Sequence, residues 1–184
     1  MMTTGEKVVL VSSFLLLIIL TGFLLSLRKG LFSSGRLFPP QKRTVNLYFS
    51  AHKKGTFYLQ ETFRRIETRK KVPLRETLEM LFAGPTPEEK KRGLSSEIPL
   101  MTKLLNVEIK STTAYLDFSE EIESGGGTSS MEGRLRGIVY TATQFPEIEK
   151  VCFLINGKRI KVFSGEGITE VEEPLGREDL SIVY

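Results

Sequence analysis

The chain has 184 residues and a formal charge of +4, with one cysteine (Cys152), one histidine (His52) and no tryptophan. A single cysteine excludes an internal disulfide, and the length suffices for one domain with an adequate core. The charge is uneven: Arg28 to Lys71 holds twelve basic and two acidic side chains, a net of +10, and Glu166 to Tyr184 holds six acids and one base, a net of −5.

Val8 to Leu27, VVLVSSFLLLIILTGFLLSL, runs twenty residues without a charge. At ~1.5 Å rise per residue, such a helix spans ~30 Å, the thickness of a bilayer's hydrocarbon core. The run exceeds the ~7–15 residues of a signal-peptide core, and Arg28 and Lys29 follow it without a small-residue cleavage site. The expectation is one uncleaved transmembrane helix at 8–27 behind a short tail at 1–7; a long signal peptide cut near Ser26 or Gly30 is the alternative. Counting Lys and Arg beside the span favours a cytoplasmic C-terminal part, but long domains translocate largely regardless of charge. Charge therefore leaves the orientation open.

Residues 28–43, RKGLFSSGRLFPPQKR, read as a basic tether that reaches ~50 Å when extended. In TVNLYFS, Val45, Leu47 and Phe49 alternate with polar positions, the pattern of a strand with one buried face. A turn at His52–Gly55 leads into a second, aromatic-rich strand over Thr56–Glu67. Pro73 starts a helix with Leu74, Leu78, Leu81 and Phe82 on one stripe, and Gly84 and Pro85 end it. Thr86-Pro87-Glu88-Glu89 opens another short helical turn. Lys103–Lys110 and Thr113–Phe118 form a hairpin. Past Gly125-Gly126-Gly127, a helix over about Ser130–Phe145 is expected, with Ser129 and Glu132 at capping-box spacing and Met131, Leu135, Ile138, Val139 and Ala142 inward. Lys150–Ile155, the turn Asn156-Gly157 and Arg159–Phe163 make a last hairpin. This order predicts an α+β fold in which two helices pack on a mostly antiparallel sheet, preceded by one transmembrane helix.

Several of these strings resemble one family. They are Leu47-Tyr48-Phe49, Leu81-Phe82-Ala83-Gly84-Pro85-Thr86, Gly93-Leu94-Ser95-Ser96-Glu97-Ile98-Pro99 and Ala114-Tyr115-Leu116-Asp117-Phe118-Ser119. A long block continues from Gly125-Gly126-Gly127 through Ile138-Val139-Tyr140-Thr141 and Gln144-Phe145-Pro146 to Asn156-Gly157-Lys158. Together they resemble the GerM domain, the sporulation and spore-germination domain of bacterial envelope proteins. The resemblance implies a GerM-like domain at 44–165 with an acidic C-terminal tail at 166–184. It further implies an extracytoplasmic, membrane-tethered scaffold module of an envelope assembly, similar in fold to ring-building modules and without known enzymatic activity. The best-known members are lipoproteins with two tandem domains, and this chain departs from them in having one domain and no cysteine beside its apolar run.

No catalytic, cofactor-binding or metal-ligating set is expected. Cys152 and His52 form a weak candidate dyad: Cys152 lies in the apolar run Val151–Ile155, where cysteine acts as a small hydrophobe, and no orienting third group is evident. Asp117, Glu120, Glu121 and Glu123 lack EF-hand spacing, and the triple glycine lacks the Gly-Lys-Ser/Thr of a P-loop. The basic stretch Arg64, Arg65, Arg69, Lys70 and Lys71 is the candidate interaction surface, facing an anionic surface or a neighbour's acidic tail (Glu170, Glu172, Glu173, Glu178, Asp179) in a self-association able to close into a ring. Charge runs are more often a solvated face. The expected partners are a membrane and other envelope proteins, with neither nucleic acid nor a small-molecule substrate. The alternative function is a binding module for an anionic cell-wall polymer or a lipid headgroup.

Overall fold

The computed structural model describes residues 16–23, 39–53, 56–163 and 169–180. The chain divides into two units, Met1–Pro40 and Gln41–Tyr184. In the first unit, residues 16–23 are helical (α1). Among the described residues no helix is long and apolar enough to cross a membrane, so the expected transmembrane helix at 8–27 is corrected. The tail 1–7, the rest of the apolar run and tether residues 28–38 lie outside the described residues.

In the second unit, β1 (Gln41–Lys53) and β2 (Thr56–Thr68) pair antiparallel along their whole length, from Gln41 opposite Thr68 to Lys53 opposite Thr56. The first residues of β1 thus come from the expected tether. Val45, Leu47, Phe49 and Ala51 are buried, the period-two face that the sequence marks. The turn residues 54–55 lie outside the described residues.

Helix α2 (Leu74–Phe82) lays Leu74, Leu78 and Leu81 against that face, with Pro73 at its N-cap rather than its first turn. Gly84 takes φ +78°, a left-handed position that glycine adopts without strain and that stops the helix. Helix α3 (Pro87–Lys91) has a capping box: the Glu89 amide donates to Thr86 Oγ1 at 3.3 Å, and the Thr86 amide donates to Glu89 Oε2 at 2.8 Å.

The short strand β3 (Leu94–Ser95) pairs with Ser50 and Ala51 of β1. Strands β4 (Leu104–Lys110) and β5 (Thr113–Phe118) form the expected hairpin through Ser111, and the register of β4 shifts between Leu104 and Asn106. Helix α4 (Thr128–Ala142) then carries the chain across to β6 (Lys150–Ile155), which lies parallel to β5. A helical crossover allows parallel pairing, which a tight turn does not. Asn156 and Gly157, at φ +49° and +76°, turn β6 into β7 (Lys158–Arg159). The expected returning strand then breaks: β8 (Val162–Phe163) leaves β6 and pairs with β9 (Thr169–Glu170).

The pairing is mostly antiparallel as expected, but the expected single sheet is corrected to three among the described residues, β2-β1-β3, β4-β5-β6-β7 and β8-β9, the second of them mixed. The α+β class stands. The rings of Phe82, Phe118, Phe153 and Phe163 form a row with 5.9 Å between successive centroids, linking α2, β5, β6 and β8 in one core.

The start of α4 also differs from expectation. Gly127 occupies the N-cap without a side-chain hydrogen bond, and the helix begins at Thr128, so Ser129 and Glu132 are inside it. This helix is buried on more sides than its apolar stripe implies: Gly133, Arg134, Gly137 and Thr141 are buried as well.

Candidate interaction face

The ribbon β1–β2 carries Arg64 and Arg65 of the basic stretch, Arg69, Lys70 and Lys71 follow β2, and α4 packs on β1. A Cβ on Gly137 would stand 3.0 Å from the Tyr48 carbonyl oxygen, and one on Gly133 would stand 3.0 Å from the Phe57 ring. Two glycines four residues apart let α4 lie directly on β1. Thr141 Oγ1 accepts from the Tyr48 amide at 3.2 Å. Gln144 Oε1 accepts from the Asn46 amide, and Gln144 Nε2 donates to the Asn46 carbonyl, both at 2.7 Å. The Gln144 amide thus does what a neighbouring strand residue would do, and together with β3 it occupies the second edge of β1. The other edge of the sheet is β2, which pairs with no further strand among the described residues.

The five expected interaction residues separate. The half-buried Arg64 points inward, donates twice to the buried carboxylate of Glu89 (2.5 Å for Nη2–Oε2), and shares it with Thr62 Oγ1 at 2.7 Å. The Arg64 hydrogen bonds, assisted by Thr62 and the Thr86 amide and opposed by burial, bring the Glu89 carboxyl down to about 2 from 4.5; the same pair raises the Arg64 pKa. Lys70 pairs with Glu76 at 2.7 Å and Lys71 with Glu147 at 3.0 Å. Arg69 is exposed and engaged in an interaction of its own. Arg65 is exposed and makes no ion pair among the described residues.

The acidic segment finds partners within its own domain. Lys161 pairs with Glu172 at 2.8 Å, Arg159 with Glu173 at 3.8 Å, and Lys150 with Asp179 at 3.5 Å. Val171 is buried, and Leu175 exchanges two backbone hydrogen bonds with Val151, each 2.9 Å. Arg177 reaches back over the rings of Tyr48 and Tyr140, 5.5 and 4.9 Å from their centroids, and donates to Thr143 Oγ1 and the Tyr140 carbonyl. The Tyr48 hydroxyl donates to Glu61 at 3.0 Å, and its pKa is raised by burial and by that carboxylate.

The remaining candidates resolve into structural roles. Cys152 is buried in β6, where burial pushes its thiol pKa up, while exposed His52 meets the Phe57 ring edge-on at the far end of β1. Asp117 accepts from the Gly157 amide at 2.8 Å, holding the turn after β6. Glu120, Glu121 and Glu123 form a 3-10 turn, and no group of three metal-ligating side chains occurs among the described residues. The triple glycine is tied down by Arg134, a residue that periodicity does not single out. Its guanidinium, 3% exposed, donates to the carbonyls of Glu97, Ile122 and Gly125 at 2.6–2.8 Å, and burial lowers its pKa. The only signal for it in the sequence is an arginine on the apolar side of a helix. A cavity of about 500 Å³ beside this loop is lined by His52, Phe57, Glu97 and residues 127–130.

Known proteins share this arrangement. Spore germination protein GerM of Bacillus subtilis is 33% identical over 107 residues, which cover 57% of this chain but only 28% of that protein. The first GerMN domain of the same sporulation protein superposes with a TM-score of 0.60 at 26% identity, over 74% of this chain and 99% of that domain. A chain provisionally described as a lipoprotein of Clostridium perfringens superposes with a TM-score of 0.53 at 25% identity, over 75% of this chain and 89% of its own. The family described as "Germane: Sporulation and spore germination" matches residues 46–161. That span runs from the Asn46 pair of the ribbon to the end of the β6–β7 hairpin, and the chain belongs to this family.

Proposed function

We propose that the chain is an extracytoplasmic interaction module of a membrane-associated envelope assembly serving sporulation or germination, acting by binding rather than by a reaction of its own. The observation that carries the reading is family membership over residues 46–161, together with the likeness to a complete GerMN domain. The chain spans less than a third of the curated relative's length, so the partners of that protein need not be partners here. The exposed side of β2 supports binding to protein. The alternative, capture of an anionic wall polymer or lipid headgroup by the basic stretch, draws less support, since Arg64, Lys70 and Lys71 already face carboxylates.

The deciding experiment is protease accessibility of the full chain in intact, wall-stripped cells, followed by cross-linking of accessible lysines. Digestion from outside and cross-links to other envelope proteins are expected. Protection until the membrane is lysed would overturn the proposal. Co-sedimentation with purified wall, without protein cross-links, would favour the alternative.

A further inference from the structure

The free edge of β2 is self-complementary, and we infer that it pairs antiparallel with the same strand of a second copy to form a two-fold dimer. β2 runs thirteen residues without a register shift and lacks a partner strand on its outer side among the described residues. Near its middle stands Phe63, 63% exposed. Glu61 and Arg65 flank it two residues away on either side, on the same face and both exposed. Neither has an oppositely charged partner among the described residues. Glu61 is held in place by uncharged groups, Asn46 Nδ2 at 2.5 Å and the Tyr48 hydroxyl at 3.0 Å.

Charge on an edge strand normally discourages pairing with another sheet. Here the signs are arranged about Phe63 so that pairing is favoured. With Phe63 on the two-fold axis, Glu61 of each copy faces Arg65 of the other, and the two Phe63 rings meet at the axis. Opposite charges and aromatic pairs directly across antiparallel strands attract. Parallel in-register pairing would set Glu61 against Glu61 and Arg65 against Arg65, so it is disfavoured. The two-fold contact is isologous and closes on itself. The other long edge, β4, is a poorer template: its register is broken at Leu104–Asn106, and Arg75 already donates to the Leu104 and Leu105 carbonyls. The inference deepens the reading of the chain as an interaction module by naming one partner, a second copy.

Sedimentation equilibrium of the purified full chain over micromolar to millimolar concentration tests it. A reversible monomer–dimer equilibrium that weakens with salt is expected. Glu61→Arg or Arg65→Glu alone turns both cross-strand pairs repulsive and should weaken the dimer about tenfold or more. Mixing the two single variants restores both attractions, so they should associate with each other better than either does with itself. Phe63→Cys should cross-link two copies on mild oxidation, because directly opposed strand residues lie within disulfide reach; buried Cys152 stays silent. A chain that is monomeric throughout, or single variants that show no preference for one another, overturns the inference. If such a chain is still cut from outside wall-stripped cells, the proposed function stands and only the dimer falls.

Discussion

Glu89 of α3 gathers four donors on one carboxylate: both Arg64 nitrogens, the Thr62 hydroxyl and the Thr86 amide. Its folded pKa of about 2 lies below the ordinary 4.5. A depressed carboxyl contributes stability that is complete above the unfolded value and is lost as pH falls from about 4.5 through about 2. The shift corresponds to at most about 3 kcal/mol. Glu89→Gln should remove a similar amount near neutral pH, leave Arg64 without its counter-charge, and flatten the loss of stability between pH 4.5 and 2 in urea titrations. Arg134→Leu tests another residue-scale claim. It strips donors from the carbonyls of Glu97, Ile122 and Gly125, and unmet buried groups cost about 1–3 kcal/mol each. Denaturant midpoints should fall accordingly, and amides of residues 120–127 should exchange faster.

At the scale of elements, a glycine inside a helix usually weakens it, and replacing it by alanine gains about 1 kcal/mol of propensity. Gly137→Ala should behave oppositely. The Cβ would press on the Tyr48 carbonyl from 3.0 Å, and β1 is held by β2, β3, Thr141 and Gln144, so it cannot yield. A net loss of about 1–2 kcal/mol in thermal or chemical unfolding is expected; a gain would mean that α4 shifts freely over the ribbon. Much of the architecture was legible locally. The alternation of Val45, Leu47 and Phe49, the stripe of α2, the β4–β5 hairpin and the Asn156-Gly157 turn each depend on neighbours a few residues away. What depends on distant partners was not. The parallel pairing of β5 with β6 follows from how α4 crosses the sheet, and nothing in either strand's composition marks it. Gly133 and Gly137 read as flaws in α4 until β1 is seen against them. Glu89 was legible only as part of a short helical turn, and its tie to Arg64 crosses 25 positions, so a residue singled out for surface charge proved to be half inside.

Across the molecule, one core joins β1 and α2 to β5, α4, β6, β8 and the segment after β9, through Leu47, Leu78, Leu116, Leu135, Phe153, Phe163 and Val171. A shared core should unfold as a single unit. Leu47→Ala in the ribbon and Phe153→Ala in β6 should each cost about 2–5 kcal/mol, and both should move one common transition, whether followed by circular dichroism or by tyrosine fluorescence. Two separable transitions would mean that the ribbon and the mixed sheet are independent. The closure of β1 by Gln144 has a consequence for timing. The two residues lie 98 positions apart, and ribosomes add roughly 5–20 residues per second. For roughly 5–20 seconds the growing chain therefore holds a ribbon whose second edge lacks its cover at Asn46, β3 reaching only Ser50 and Ala51. A strand made early is closed late, and any factor that attends this protein during synthesis or export meets an open edge first.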